Sequence, residues 1–139
     1  MTHASERLNE LGLNVPEGEF LLSTRDDASD LSYFLGLLDV SHRGEPDACL
    51  RKMAHESMRK LLARGLIQAG STNDDVRFVT WQGEAQEIVH RVEREWRKLG
   101  GRMPRMYEVA WFRLTPAGDA LVDMHLRTLA DELFPDPDS

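Results

Sequence analysis

Asp47-Ala48-Cys49-Leu50-Arg51-Lys52-Met53-Ala54-His55-Glu56-Ser57-Met58-Arg59-Lys60-Leu61-Leu62-Ala63-Arg64-Gly65-Leu66-Ile67 is the most strongly patterned stretch of the chain. Positions 50, 53, 54, 57, 58, 61, 62 and 65 read Leu, Met, Ala, Ser, Met, Leu, Leu and Gly. Residues three and four apart share one side of an α-helix, so this spacing predicts a helix over 47–64 with one buried stripe. The opposite side carries Arg51, Lys52, His55, Glu56, Arg59, Lys60 and Arg64. Gly65 stops the helix, because glycine adopts the left-handed conformation of a helix terminus at little cost. Leu66-Ile67 then lead the chain away.

Upstream, Ser41-His42-Arg43-Gly44-Glu45-Pro46 holds both Gly and Pro and predicts a break. Before it a helix is expected from about residue 27 to 40, buried through Leu31, Phe34, Leu35 and Leu38. Residues 13–25 contain Pro16 and Gly18 followed by Phe20-Leu21-Leu22, and read as loop or short strand. A short helix over 4–11 would pack Leu8 and Leu11 and stop at Gly12. Downstream, Val76–Trp81 has the β-branched and aromatic content of a strand. A third long helix follows over 84–99, its stripe running Ala85, Ile88, Val89, Val92, Trp96, Leu99. Glu108–Leu114 reads as a second strand. Thr115 then caps a helix over 116–134, with Pro116 in its first turn and Leu121, Val122, Leu126, Leu129 and Leu133 inward. Trp81, Trp96 and Trp111 are expected to pack together and fix the intervening helix to the sheet.

Two fragments carry a family likeness. Glu56–Ile67, with its leucine-basic-Gly-Leu-Ile exit, resembles the end of the third helix of winged-helix regulators where it feeds the wing. Phe112-Arg113-Leu114-Thr115-Pro116-Ala117-Gly118 resembles the second wing strand and following helix of the same superfamily, as in PadR-like and MarR-like proteins. The whole chain is also similar to small actinobacterial proteins. The likeness implies an α+β, mainly helical winged-helix-type domain over 1–134, followed by a short acidic tail at 135–139. Its wing would be a two-stranded sheet interrupted by an inserted amphipathic helix, because about 25 residues separate the two expected strands. The 47–64 helix contains no Gly, Pro or Asn, so the turn of a helix-turn-helix would have to be 41–46.

The composition is globular, with 41% apolar and 29% charged residues in a chain of 139. No apolar run approaches the roughly 18 residues of a membrane span. The N-terminal residues carry no basic head before an apolar run, and Cys49 is the single cysteine. Both fit a cytoplasmic setting without disulfides. The net charge of −7 is uneven: residues 1–47 hold 3 basic and 10 acidic side chains, 48–105 hold 12 and 7, and 106–139 hold 2 and 7. A basic middle therefore lies between acidic flanks.

Catalytic patterns are not evident. His55-Glu56 lacks the second histidine of a zinc-protease helix, because position 59 is Arg. Glu87-x-x-His90 is one step of a di-iron bundle without its repeat. Asp39 with His42, and Asp123 with His125, lack any nucleophile beside them. The expectation is a non-enzyme without metal or cofactor. Its charged helix faces have bland readings too: Glu87–Arg91 and Glu93–Arg97 stand at the i, i+4 spacing of helix-stabilising pairs.

Two functions fit. The first is a protein-binding module on a winged-helix scaffold, an immunity- or antitoxin-like inhibitor or an adaptor. Asp26, Asp27, Asp30, Asp74 and Asp75 would be its contacts for a basic partner. The second is a DNA-binding transcriptional regulator that uses Arg51, Lys52, His55, Arg59 and Lys60, with a homodimer through the 116–134 helix. No membrane partner is expected.

Overall fold

The 47–67 stretch folds as its pattern dictates. Helix α4 (Asp47–Ala63) buries Leu50, Ala54, Ser57, Met58 and Leu61, and Gly65 follows it with φ +69°. In the computed structural model, which describes residues 3–25, 28–72, 77–106 and 108–134, this helix packs against two other helices and a strand. The other elements are α1 (His3–Glu10), α2 (Val15–Ser23), β1 (Ser29–Asp30), α3 (Leu31–Ser41), β2 (Ile67–Thr72), β3 (Phe78–Thr80), α5 (Ala85–Arg97), β4 (Trp111–Leu114), α6 (Pro116–Leu121) and α7 (Ala130–Leu133). A π-helical turn (Val122–Leu126) and a 3₁₀ turn (Arg127–Leu129) join the last two helices. The chain is thus α+β and mainly helical. The acidic tail at 135–139 lies outside the described residues. None of the described helices is long and apolar enough to cross a membrane.

Where a loop or short strand is expected over 13–25, the chain forms α2. The Asn14 side chain accepts a hydrogen bond from the Glu17 amide at 2.9 Å, and Glu17 Oε1 accepts one from the Asn14 amide at 2.9 Å. This reciprocal box satisfies two of the amide groups that every helix start leaves unpaired. Pro16 sits in the first turn, where its missing N–H costs nothing. Gly18, the other apparent breaker, is where α1 closes on α2: an added Cβ would stand 2.6 Å from Leu8 Cδ2. Helix α3 starts at Leu31 rather than near residue 27, because Asp30 is its cap and accepts from the Tyr33 amide at 3.0 Å. All four side chains expected to bury it (Leu31, Phe34, Leu35 and Leu38) do so.

The expected two-stranded sheet is in fact a four-stranded antiparallel sheet in the order β1-β4-β2-β3. Strand β2 escapes a composition-based reading because Ala69 and Gly70 give it little β-propensity. Their smallness is what the pairing needs, since a Cβ on Gly70 would run into the Val79 carbonyl and the Phe78 ring. In sequence, α5 stands between β3 and β4. The helix is inserted only in sequence: β4 pairs directly with β2, which lies between it and β3. Strand β4 begins at Trp111 and not at 108, because the chain turns sharply at Val109, whose φ is +70°. The Ala110 amide donates to the Glu108 carbonyl at 2.9 Å across that turn.

The two fragments that carry the winged-helix likeness meet in space. The Thr115 hydroxyl donates to the Gly65 carbonyl at 2.5 Å and the Thr115 amide to the Leu66 carbonyl at 3.1 Å. The same hydroxyl accepts from the Gly118 amide at 3.0 Å and caps α6. The 116–134 stretch is helical but changes register, from α to π to 3₁₀ and back. Its Val122, Leu126 and Leu129 are buried in the chain's own core, which runs as one cluster from Ala4 to Leu129. Phe20 stands near the centre of this core, with ring centroids 4.9 Å from Phe34 and 5.8 Å from Phe112.

Candidate functional site

The basic side of α4 is divided by its neighbours. Arg51 lies with its guanidinium 4.9 Å from the Trp96 ring centre, and the His55 ring meets the same indole edge-on at 5.4 Å. Trp96 is 1% exposed, so α5 covers this part of α4. Glu93, one turn before Trp96, places Oε1 3.7 Å from His55 Nδ1. Burial holds the His55 imidazole below its ordinary value; Glu93 pulls it upward, while Arg51, Arg59 and Arg97 push it further down. Arg51 Nε and His55 Nε2 are shielded from solvent and have no hydrogen-bond partner among the described residues.

Lys60 points elsewhere. Its Nζ lies 2.7 Å from Glu17 Oε1 and donates to the Gly12 carbonyl at 3.1 Å. Glu17 is 1% exposed, so Lys60 neutralises a carboxylate that the capping box has drawn into the interior. Lys52 and Arg59 are exposed, and neither forms an ion pair or hydrogen bond among the described residues. Of the five residues expected to form one DNA-reading row, two are held by α5, one serves α2 and two are free.

The aspartates expected to meet a protein divide as well. Asp30 is buried and caps α3, with the Ser32 hydroxyl also donating to it at 2.8 Å. Asp26, Asp27, Asp74 and Asp75 lie outside the described residues. Of the acid–base pairs considered above, Asp123 and His125 each enter another partnership. Asp123 pairs with Arg25 at 2.5 Å, and His125 Nδ1 takes a hydrogen bond from Arg7 at 2.9 Å. Glu93–Arg97 forms at 3.9 Å, whereas Arg91 lies 4.0 Å over the Trp81 ring instead of pairing with Glu87. Trp96 thus serves α4 and Trp81 holds Arg91. Among the described residues no three His, Cys, Asp or Glu side chains converge as a metal-binding group.

A surface not anticipated from the sequence lies on α3. Tyr33 is 41% exposed and Val40 64% exposed, with the partly buried Leu37 between them. Gly36 belongs to the same side, and an added Cβ there would meet nothing within 4 Å. Positions 33, 36, 37 and 40 follow helical spacing, so they form one continuous ridge. The signal was present in the sequence. Helix α3 reads Leu-Ser-Tyr-Phe-Leu-Gly-Leu-Leu-Asp-Val-Ser, which holds more apolar residues than one buried stripe can absorb.

No protein-family model, curated protein or solved structure matches this chain. The site must therefore be read from its own geometry. That geometry offers an apolar ridge on α3 within the acidic part of the chain, and a cationic seam between α4 and α5.

Proposed function

We propose that this chain is a non-enzymatic protein-binding module on a winged-helix-type scaffold, and that it docks a basic amphipathic helix of its partner on α3. The scaffold reading is supported by the α2-β1-α3-α4-β2 order and by β4 pairing between β1 and β2. The observation that carries the function is the exposed Tyr33–Gly36–Leu37–Val40 ridge. Apolar side chains aligned on one exposed helix face gain free energy by being covered, and Gly36 lets a partner approach the backbone closely. The partner's charge follows from the surroundings. Residues 1–47 carry 3 basic and 10 acidic side chains, and Asp39 is exposed beside Val40.

The test is a photo-reactive amino acid at position 40, compared with the same group at position 52. Crosslinking from 40 to one protein through a basic helical segment, abolished by Gly36→Arg, is the expected result. Gly36→Arg adds bulk and positive charge at a position where an added Cβ meets nothing within 4 Å. Crosslinking that Gly36→Arg leaves unchanged would sink the proposal.

A second reading, a transcriptional regulator that docks α4 on DNA, is favoured by the free cations Lys52 and Arg59. It is opposed by α5, which lies on the same side of α4 with Trp96 against His55 and Arg51. A mobility-shift assay on DNA from the gene's own upstream region, with Lys52→Ala/Arg59→Ala beside the parent, separates the two readings.

A further inference from the structure

The seam between α4 and α5 holds more positive charge than its contacts use. A groove of about 380 Å³ lies along it, lined by Arg51, Lys52, His55 and Arg59 from α4 and by Glu93 from α5. Arg97 stands one turn beyond Glu93 and is 75% exposed. Three permanent cations, Arg51, Lys52 and Arg59, thus line a small concavity whose carboxylates are Glu56 and Glu93, and of these Glu93 is engaged in ion pairs among the described residues. The groove also has a rigid floor. Arg51 and His55 are held against the buried indole of Trp96, so their positions are set before any ligand arrives.

We propose that this groove binds a compact phosphate-class anion, a phosphate or pyrophosphate group on a small molecule. Guanidinium groups suit this chemistry because their planar donors match tetrahedral oxyanions. The groove's size falls at the low end of the range for small-molecule sites, roughly 300–1,000 Å³. A duplex backbone fits it less well. Glu93 and Glu56 stand among the cations and would repel a run of successive phosphates. Lys60, which would extend the row along α4, is committed to Glu17. The proposal is independent of the α3 ridge, which lies on another helix.

His55 provides a reporter. The charged groups that act on it are Arg51 and Arg59 from α4 and Glu93 and Arg97 from α5. A bound anion offsets the three arginines, so saturation raises the pKa of the His55 imidazole. The measurement is an NMR titration of the full chain with inorganic pyrophosphate, following the His55 ring signals and backbone amides of α4 and α5. Saturable shifts in the millimolar range or below are expected, with an upward move of the His55 pKa at saturation. Lys52→Gln/Arg59→Gln changes two exposed side chains and leaves the Trp96 packing intact. It should weaken binding by about tenfold or more while leaving the thermal melt in place. A short duplex in the same buffer is the second arm. Absence of saturable shifts, or unchanged affinity in the double variant, overturns the proposal. So does a duplex that binds more tightly than pyrophosphate with a steep salt slope, which assigns the face to nucleic acid.

Discussion

Two glycines inside helices should respond to alanine in opposite directions. At Gly36, in the exposed face of α3, an added Cβ meets nothing within 4 Å. Alanine there keeps only the gain in helix propensity, about 0.5–1 kcal/mol. At Gly118, in the first turn of α6, the added Cβ would lie 3.1 Å from the Leu66 carbonyl carbon and 3.2 Å from Leu114 Cδ2, and closer still to the Leu66 oxygen. The neighbours that must yield are backbone, and that backbone already accepts from the Thr115 amide at 3.1 Å. Overpacking of this kind costs about 1–3 kcal/mol, and straining the Thr115 contacts adds about 1 kcal/mol more. Set against the propensity gain, Gly118→Ala should lose about 1–3 kcal/mol. For a domain of this size that lowers Tm by roughly 3–12 °C. Urea and thermal melts of both variants, followed by circular dichroism, make the comparison. Equal or higher stability for Gly118→Ala would refute the claim that the Gly65–Leu66 exit and the start of α6 are locked backbone to backbone.

Lys60→Ala should cost about 1–3 kcal/mol in the same melts, because it leaves the buried Glu17 carboxylate with the Asn14 amide but without its cation. Adding Glu17→Gln to that variant should recover part of the loss. Val109→Gly relieves about 1–3 kcal/mol of strain at φ +70° but gives up about as much in packing against the core and in unfolded-chain entropy, so it should change stability far less than truncating a buried valine normally does. The pH dependence has two windows. His55 is depressed in the folded state, so its contribution is complete above its unfolded value near 6.5 and is lost as pH falls through the folded value. His55→Phe should flatten that region of the stability profile. Glu108 is lowered to about 2 by the Arg102 side chain and then by the Arg105 amide. Its contribution is therefore present above 4.5 and fades as pH falls toward about 2, and Glu108→Gln should remove this second decline.

How much of this was legible in the sequence depended on whether the decisive contacts were local. Helices α4 and α5 and the buried side of α3 follow from periodicity, because each buries one stripe, and α4 and α5 are followed closely by glycine. Thr115-Pro116 marked the start of α6 for the same local reason. Strand β2 did not announce itself, because Ala69 and Gly70 were selected by close approach to β3 and not by β-propensity. Helix α2 was hidden by Pro16 and Gly18, which punctuate most sequences, although Asn14 and Glu17 at capping-box spacing already offered a start signal. At the site, sequence grouped Arg51, Lys52, His55, Arg59 and Lys60 because they share one side of one helix. It could not divide them, because their partners Trp96 and Glu17 lie 45 and 43 positions away from Arg51 and Lys60. Asp30 was misread for a related reason: capping and surface aspartates have the same composition, and only the backbone distinguishes them.

The charge blocks along the sequence bear on function through these contacts. An acidic chain with a net charge of −7 argues against an anion site only if the charges act together. At physiological ionic strength exposed charges more than about 8 Å apart are largely screened, so each surface answers to its own neighbours. Lys60 and Glu17 pair where the basic middle of the chain meets the acidic beginning, and this removes one cation from the α4 side and one carboxylate from the α2 side. What remains is an apolar ridge beside the exposed Asp39 on α3 and the cations Arg51, Lys52 and Arg59 along the α4–α5 seam. The two surfaces call for opposite ligands, so occupation of one need not compete electrostatically with the other. Helix α5 therefore has a double effect. By covering Arg51 and His55 with Trp96 it removes the continuous cationic row that a DNA duplex would read, and by the same contact it creates the concave wall that a small anion needs.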